Sequence, residues 1–183
     1  NIGNLYSDLK RFDDAEKAYL DALNIRKKLA EKNPDAYLPN LATTQNNIGY
    51  LYRDLKRFDD AEKAYREALN IYKKLAEKNP DAYLPELAMT QNNIGNLYSD
   101  LKRFDDAEKA YLDALDIRRK LAEKNPAAYL PGLAGTQNNI GNLYCDLERF
   151  DDAEKAYREA LKIRKELAEK NPDAYLPDLA MTQ

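Results

Sequence analysis

Between Phe58 and Pro80 the apolar side chains fall at Ala61, Ala64, Tyr65, Ala68, Leu69, Ile71, Leu75 and Ala76. Separations of three, four and seven recur among them, as in Ala61, Ala64, Tyr65, Ala68 and Leu75, which places the side chains on one broad helical face. Asp59, with Glu62 three residues later, predicts an N-terminal cap. The acids Asp59, Asp60 and Glu62 suit the positive end of the helix dipole, and Lys73, Lys74 and Lys78 its negative end. Asn79-Pro80 ends the helix at about 20 residues, or roughly 30 Å. A second series, Leu87, Ala88, Ile94, Leu97, Tyr98 and Leu101, predicts a shorter helix over 85–101. Pro85 fits a first turn, where a missing N–H removes no bond. Residues 81–84 read either as a turn or as an extra helical turn kinked at Pro85. Lys102-Arg103 forms a tight joint into the next long helix.

The same pattern returns with a strict period of 46, marked by Asn-Ile-Gly at Asn1, Asn47, Asn93 and Asn139. The units are 1–46, 47–92, 93–138 and 139–183, without linker or insertion, so 1–183 reads as one repeat domain. Repeats 1 and 3 differ at only five positions, and repeats 2 and 4 share Arg66-Glu67 and Arg158-Glu159, which suggests that a two-repeat unit was duplicated. Each unit is a helix hairpin that cannot bury both of its faces. Stacked neighbours complete the core, giving an all-α solenoid of antiparallel hairpins. Gly3, Gly49, Gly95 and Gly141 sit inside the shorter helices, where glycine costs about 1 kcal/mol against alanine. Their recurrence predicts close approach of the partner helix. Of the 14 tyrosines, twelve occupy three positions per repeat, represented by Tyr6, Tyr19 and Tyr37, and read as core. Tyr50 and Tyr72 are off-pattern, with Tyr72 read as a surface exchange for Arg.

The run NIGxLYxDLxRFDDAEKAYxxALxI resembles the tetratricopeptide repeat over all four units. Ile48, Gly49 and Tyr52 match the family's first-helix Leu-Gly and Tyr. Phe58 matches the aromatic at the joint, and Ala61, Tyr65 and Ala68 match the small-large-small pattern of the second helix. Three features depart from it. The period is longer than about 34, Lys56 stands where glycine is frequent, and Gln45 stands where the family often has Trp. The long period and the Asn pair are similar to the kinesin light chain type of repeat. The resemblance implies a right-handed superhelix whose concave wall, built by the first helices, holds a peptide or a partner protein.

The variable first-helix positions are Asn40, Thr43, Tyr50 and Arg53, then Glu86, Met89, Asn96 and Ser99, then Gly132, Gly135, Asn142 and Cys145. Spacings of 3, 7 and 3 set them on one stripe, which in the family matches the ligand-facing wall; drift at exposed positions is the alternative. Asn46, Asn92 and Asn138, with Asn4, Asn96 and Asn142, form rows of carboxamides. A carboxamide donates and accepts together, so such rows suit a peptide backbone of any sequence. Asn47, Asn93 and Asn139 are expected to bond locally to the neighbouring helix. The expected peptide-binding set is therefore Asn4, Asn46, Tyr50, Arg53, Met89, Asn92, Asn96, Asn138 and Asn142. Asp8, Asp54, Asp100 and Asp146 form an acidic row, with bonds to joint cations as the alternative. Arg53 is the one cation read into the groove, so a polar or basic partner segment is expected.

Composition narrows the chemistry. Lys plus Arg is 29 and Asp plus Glu 32, a net charge of −3, so nothing favours nucleic acid or an anionic membrane. No apolar run approaches the roughly 20 residues that span a bilayer, and a cytoplasmic location is expected. Histidine is absent and Cys145 is alone, which removes His-based catalysis, Cys/His metal sites and internal disulfides. No phosphate-cradling glycine motif is present. Asp13-Asp14 and its copies read as helix-end acids rather than a calcium site, and Cys145 has no base to activate it. No cofactor, metal or enzymatic activity is expected. Asn1 and Gln183 fall mid-helix in the pattern, so the array is expected to lack capping helices and to stack head to tail. The alternative to a protein-binding module is a self-assembling spacer with an empty groove.

Overall fold

In the computed structural model, which describes residues 2–180 with the side chain of Asp178 excepted, every helix follows the repeat. In chain order they are α1 (Ile2–Asp8), α2 (Phe12–Lys32), α3 (Pro34–Asp54), α4 (Phe58–Lys78), α5 (Pro80–Asp100), α6 (Phe104–Lys124), α7 (Pro126–Asp146), α8 (Phe150–Lys170) and α9 (Pro172–Ala180). No strand occurs among the described residues. The contacts form two compact units that divide after Leu97, within α5. In the first, α1–α2, α2–α3 and α3–α4 are antiparallel neighbours; in the second, α6–α7, α7–α8 and α8–α9. The expected ends at Asn1 and Gln183 lie outside the described residues.

The first-type helix is longer than the apolar pattern implied. Pro34 and Pro126, not Pro39 and Pro131, take the first turn, and the inner prolines sit inside the helix. α5 likewise starts at Pro80 and carries Pro85 inside, so residues 81–84 form the extra helical turn. Asn33 serves two helices: its N–H donates to Leu29 O at 2.9 Å, closing α2, and its Oδ1 accepts from Ala36 N at 3.3 Å, opening α3. That cap offsets the bond each inner proline removes.

The Asp59–Glu62 cap does not form. Arg57 holds the N-cap position of α4 with no side-chain cap, and its Nε donates to Asp60 Oδ2 at 2.9 Å. The preceding joint explains why. Lys56 takes a left-handed φ of 58°, its N–H donates to Arg53 O at 2.9 Å, and Arg57 N–H donates to Tyr52 O at 2.8 Å. This is a Schellman-type ending, and it delivers the chain into α4 one residue before Phe58. Lys10, Lys102 and Glu148 repeat the left-handed turn.

The recurring glycines make room for tyrosine rings. A Cβ on Gly49 would lie 2.7 Å from Tyr65 Cδ1, and one on Gly3 2.7 Å from Tyr19 Cε1. The ring thus lies directly on the backbone of the facing helix. Tyr19, Tyr65 and Tyr111 are buried, as are Tyr52 and Tyr98. Tyr37, Tyr83, Tyr129 and Tyr175 are only half-buried, so this third position is not core. Tyr72 reverses its expected place. It is 1% exposed, with its hydroxyl 2.9 Å from Thr43 Oγ1. At the same register Arg26 bonds Asn40 O and Thr44 Oγ1, so this position reaches the first-type helix whichever residue fills it.

Consecutive repeats are clasped by a carboxylate. Glu16 Oε1 on α2 accepts from Tyr52 Oη at 3.0 Å and from Arg57 Nη1 at 2.7 Å, while the Arg57 guanidinium lies 4.1 Å from the Tyr52 ring centre. In the second unit Glu108 does the same for Tyr144 at 2.8 Å and Arg149 at 3.0 Å. Burial, then the bond to Glu108, pushes the Tyr144 hydroxyl up to about 12, and Tyr52 is raised by burial and Glu16. Both folded values lie above the ordinary 10.0, so these tyrosines keep their protons while unfolded tyrosines lose theirs. Their contribution is complete below the unfolded value and is lost as pH rises through the folded one. Urea midpoints should therefore fall between about pH 10 and pH 12. The double variant Tyr52→Phe/Tyr144→Phe should fall less steeply over that window. Parallel curves would disprove the assignment.

Candidate functional site

In the first unit α1, α3 and α5 turn a polar face to a cleft of about 250 Å³ lined by Asn4, Ser7, Asp8, Tyr19, Asn46, Asn47, Tyr50 and Asn93. The heptad-like recurrence of short polar residues on these helices, opposite the Gly-Leu-Tyr face, builds it. Its carboxamides are organised by hydrogen bonds. Asn4 Oδ1 accepts from Tyr19 Oη at 2.7 Å and from Asn47 Nδ2 at 3.3 Å, and Asn46 Oδ1 accepts from Asn93 Nδ2 at 3.2 Å. Burial and the charge of Asp8 raise the Tyr19 hydroxyl, which keeps it a donor at neutral pH. Both bonds are accepted by the Asn4 oxygen. Tyr50 is 50% exposed and stands where Asn4 and Asn142 stand in other repeats.

Of the residues predicted to bind, Asn4, Asn46 and Tyr50 meet in this cleft. Asn46 is only 5% exposed and acts as the acceptor of Asn93, so it supports the wall rather than projecting from it. Arg53 is half-buried on α3; Met89 is exposed on α5, with Asn92 and Asn96 half-buried beside it. In the second unit Asn138 is half-buried and Asn142 exposed on α7. Asn142 Oδ1 accepts from Tyr157 Oη at 2.6 Å, the bond Asn4 makes with Tyr19. Burial, then Cys145, pushes Tyr157 up to about 12. Asn47 does bond to the neighbouring helix as the sequence implied, yet it also lines the cleft. Sequence reasoning missed the tyrosine hydroxyls of the second-type helices as part of this wall. The signal was a fixed separation of 15 between Asn4 and Tyr19 and between Asn142 and Tyr157.

Asp8 is exposed in the cleft, whereas Asp146 lies 3.6 Å from Lys102. The acidic row is therefore partly groove and partly joint. Among the described residues no cluster of His, Cys, Asp or Glu could hold a metal ion, and no helix is long and apolar enough to cross a membrane.

Paired helices of fixed length, a Gly–Tyr contact between them and a polar wall on the first-type helices define a helical-repeat protein. Profiles of the tetratricopeptide repeat match residues 1–74, 87–127 and 133–173, and the chain belongs to that family, in its long-period form. Repeats of this family generally serve as non-enzymatic scaffolds for protein–protein contact. Among solved structures, the chain is similar to BtubC (BKLC) from P. vanneervenii. Identity is 29%, the TM-score is 0.75, and the match covers 91% of this chain and 61% of that one. It is also similar in fold to the apo form of RapI, with 20% identity, TM-score 0.73, and 93% and 54% of the two chains covered. The chain thus spans less than two thirds of either structure. No curated protein sequence matches it.

Proposed function

We propose that the chain is a protein-interaction module that holds an extended segment of a partner protein against its first-type helices. The cleft of the first unit carries this reading: two pre-bonded carboxamide pairs, an exposed tyrosine and a carboxylate face one space. Asn4 would offer its amino group to a backbone carbonyl, with Asn46 and Asn93 holding the wall in place. Tyr50 would supply an aromatic anchor, and Asp8 would favour a polar or basic side chain at that point. In the second unit Asn142 and Asn138 repeat the arrangement, and Arg53, Met89, Asn92 and Asn96 would set selectivity along α3 and α5.

The test is an array of extended peptides probed with the whole chain. Peptides that bind should lose about tenfold or more in affinity on Tyr50→Ala and a similar factor on Asn4→Ala/Asn47→Ala. Unchanged capture by both variants would sink the proposal. A second reading, a self-assembling spacer, is favoured by the near-identity of repeats 1 and 3. If no peptide is captured while the sedimenting mass rises with concentration, that reading replaces the first.

A further inference from the structure

The wall of the first unit's cleft carries one charge, and it is negative. Asp8 ends α1, is exposed, and belongs to a helix with no basic residue in its last turn. No Lys or Arg lines the cleft. Among the described residues the Asp8 carboxylate makes no hydrogen bond and no ion pair. The cations that follow it along the chain are engaged elsewhere. Lys10 lies 5.7 Å from the Phe12 ring centre, and Arg11 lies 4.4 Å from the Tyr6 ring centre and 2.7 Å from Asp14 Oδ2. The charge of Asp8 acts into the cleft, where it is the second cause, after burial, of the raised Tyr19 hydroxyl. Asp146, at the same register of the fourth repeat, is instead 3.6 Å from Lys102.

Tyr50 lines the same cleft from α3 and is half exposed. Its register holds Asn4, Asn96 and Asn142 in the other repeats, so an acid on one first-type helix is followed by an aromatic on the next only at Asp8 and Tyr50. The joints of this chain show what a tyrosine and an acid from neighbouring helices hold between them. Arg57 Nη1 donates to Glu16 Oε1 at 2.7 Å while its guanidinium lies 4.1 Å from the Tyr52 ring centre. Arg149 does the same with Glu108 at 3.0 Å and the Tyr144 ring at 4.2 Å. In both, the carboxylate takes N–H donors at the edge of the guanidinium and the ring takes its flat face. The cleft presents a tyrosine and an acid to one open space, with no cation of the chain on its wall.

We infer that this cleft is a subsite for an arginine side chain of the partner segment, with the guanidinium paired to Asp8 and stacked on Tyr50. The inference rests on the groove reading and narrows it to one side chain at one place. Lysine fits less well, because a point-like ammonium cannot donate side by side to a carboxylate and lie flat on a ring together. The subsite also gives the groove a register. The carboxamides recur with the repeat and suit any backbone, whereas the acid and the aromatic meet once along the array.

The ring resonances of Tyr50, followed by NMR in the intact chain, test it. The probes are capped heptapeptides of glycine and serine whose central residue is arginine, lysine or citrulline, the last a neutral copy of arginine. The arginine peptide should give a saturable shift at Tyr50, the lysine peptide one several-fold weaker, and the citrulline peptide one about tenfold weaker or none. Asp8→Asn should bring the arginine peptide down to the level of citrulline. Tyr50→Asn, which copies the sister repeats, should weaken arginine binding about tenfold, read from the Tyr19 ring instead. Asp54→Asn removes an equal charge from outside the cleft and should change little. No saturable shift, equal binding of arginine and citrulline, or equal losses in Asp8→Asn and Asp54→Asn would each overturn the inference. Array peptides whose capture still depends on Tyr50 and Asn4, yet is indifferent to Asp8→Asn and to arginine in the peptide, would leave the groove reading standing and remove only the arginine subsite.

Discussion

Gly49→Ala should destabilise the first unit by up to about 2 kcal/mol, although alanine is the better helix former. The helix gain is about 1 kcal/mol. Against it stands a methyl group placed 2.7 Å from Cδ1 and Cε1 of Tyr65, whose side chain is fully buried and has nowhere to retreat. Overpacking of that kind costs roughly 1–3 kcal/mol, and a fully buried ring puts it toward the upper end. Two further glycines make the argument discriminating. A Cβ on Gly141 comes even closer to its ring, 2.5 Å from Tyr157 Cε1, but Tyr157 is only half-buried and can shift, so Gly141→Ala should cost less. Gly135 has open space, so Gly135→Ala should stabilise by about 1 kcal/mol. Urea unfolding of the three variants gives the order directly. Stabilisation by Gly49→Ala would show that the Tyr65 ring does not lie on the backbone of α3.

The second large effect runs the other way. Lys10, Lys56, Lys102 and Glu148 all hold φ near 58°, in the left-handed region where a side chain is strained. That conformation costs an ordinary residue about 1–2 kcal/mol. Glycine removes this cost but loses roughly 0.4–1 kcal/mol through its freer unfolded chain. The difference is about 0.5–1 kcal/mol at each joint, hence about 2–4 kcal/mol for the four substitutions together. The side chains contribute little that would be lost: Lys102 and Asp146 are 3.6 Å apart and both well exposed, and Lys10 and Lys102 lie 5.7 and 5.5 Å from the ring centres of Phe12 and Phe104, near the outer limit of a cation–π contact. A chain of this size gains about 2–4 °C in Tm per kcal/mol, so the quadruple glycine variant should melt roughly 5–15 °C higher. A Tm at or below that of the parent would mean that the lysines hold the joints by contacts stronger than the strain.

Both predictions concern positions whose importance could be seen in the sequence, and the contrast with other residues is instructive. The recurrence of glycine opposite a tyrosine one helix later announced a close approach, because a missing Cβ inside a helix has few other uses. The joint at Lys56 was visible as a departure from the family's glycine, although its left-handed φ was not. Tyr72 was misread for the opposite reason. Replacing one Arg in a repeated series by Tyr looks like surface variation. Its burial depends on how far α4 reaches across α3, a distance no spacing encodes. The expected cap at Asp59 failed similarly: local preference favoured an acid, but the left-handed turn at Lys56 had already fixed where α4 begins and turned Arg57 toward Asp60.

For the candidate site, the rows of asparagine were legible because a period of 46 lays identical residues on identical faces. Which carboxamide projects and which supports was not, since that is set by side-chain bonds across helices: Asn46 receives Asn93, and Asn4 receives both Asn47 and Tyr19.

The sequence by itself determined the helical hairpin, its period, its core faces and the family, because each is a pattern of apolar, small and breaking residues repeated along one chain. Only the tertiary structure decided the depth of Tyr72 and the division of labour among the asparagines. Those depend on distances between helices, and a distance between helices is fixed by packing rather than by order along the chain.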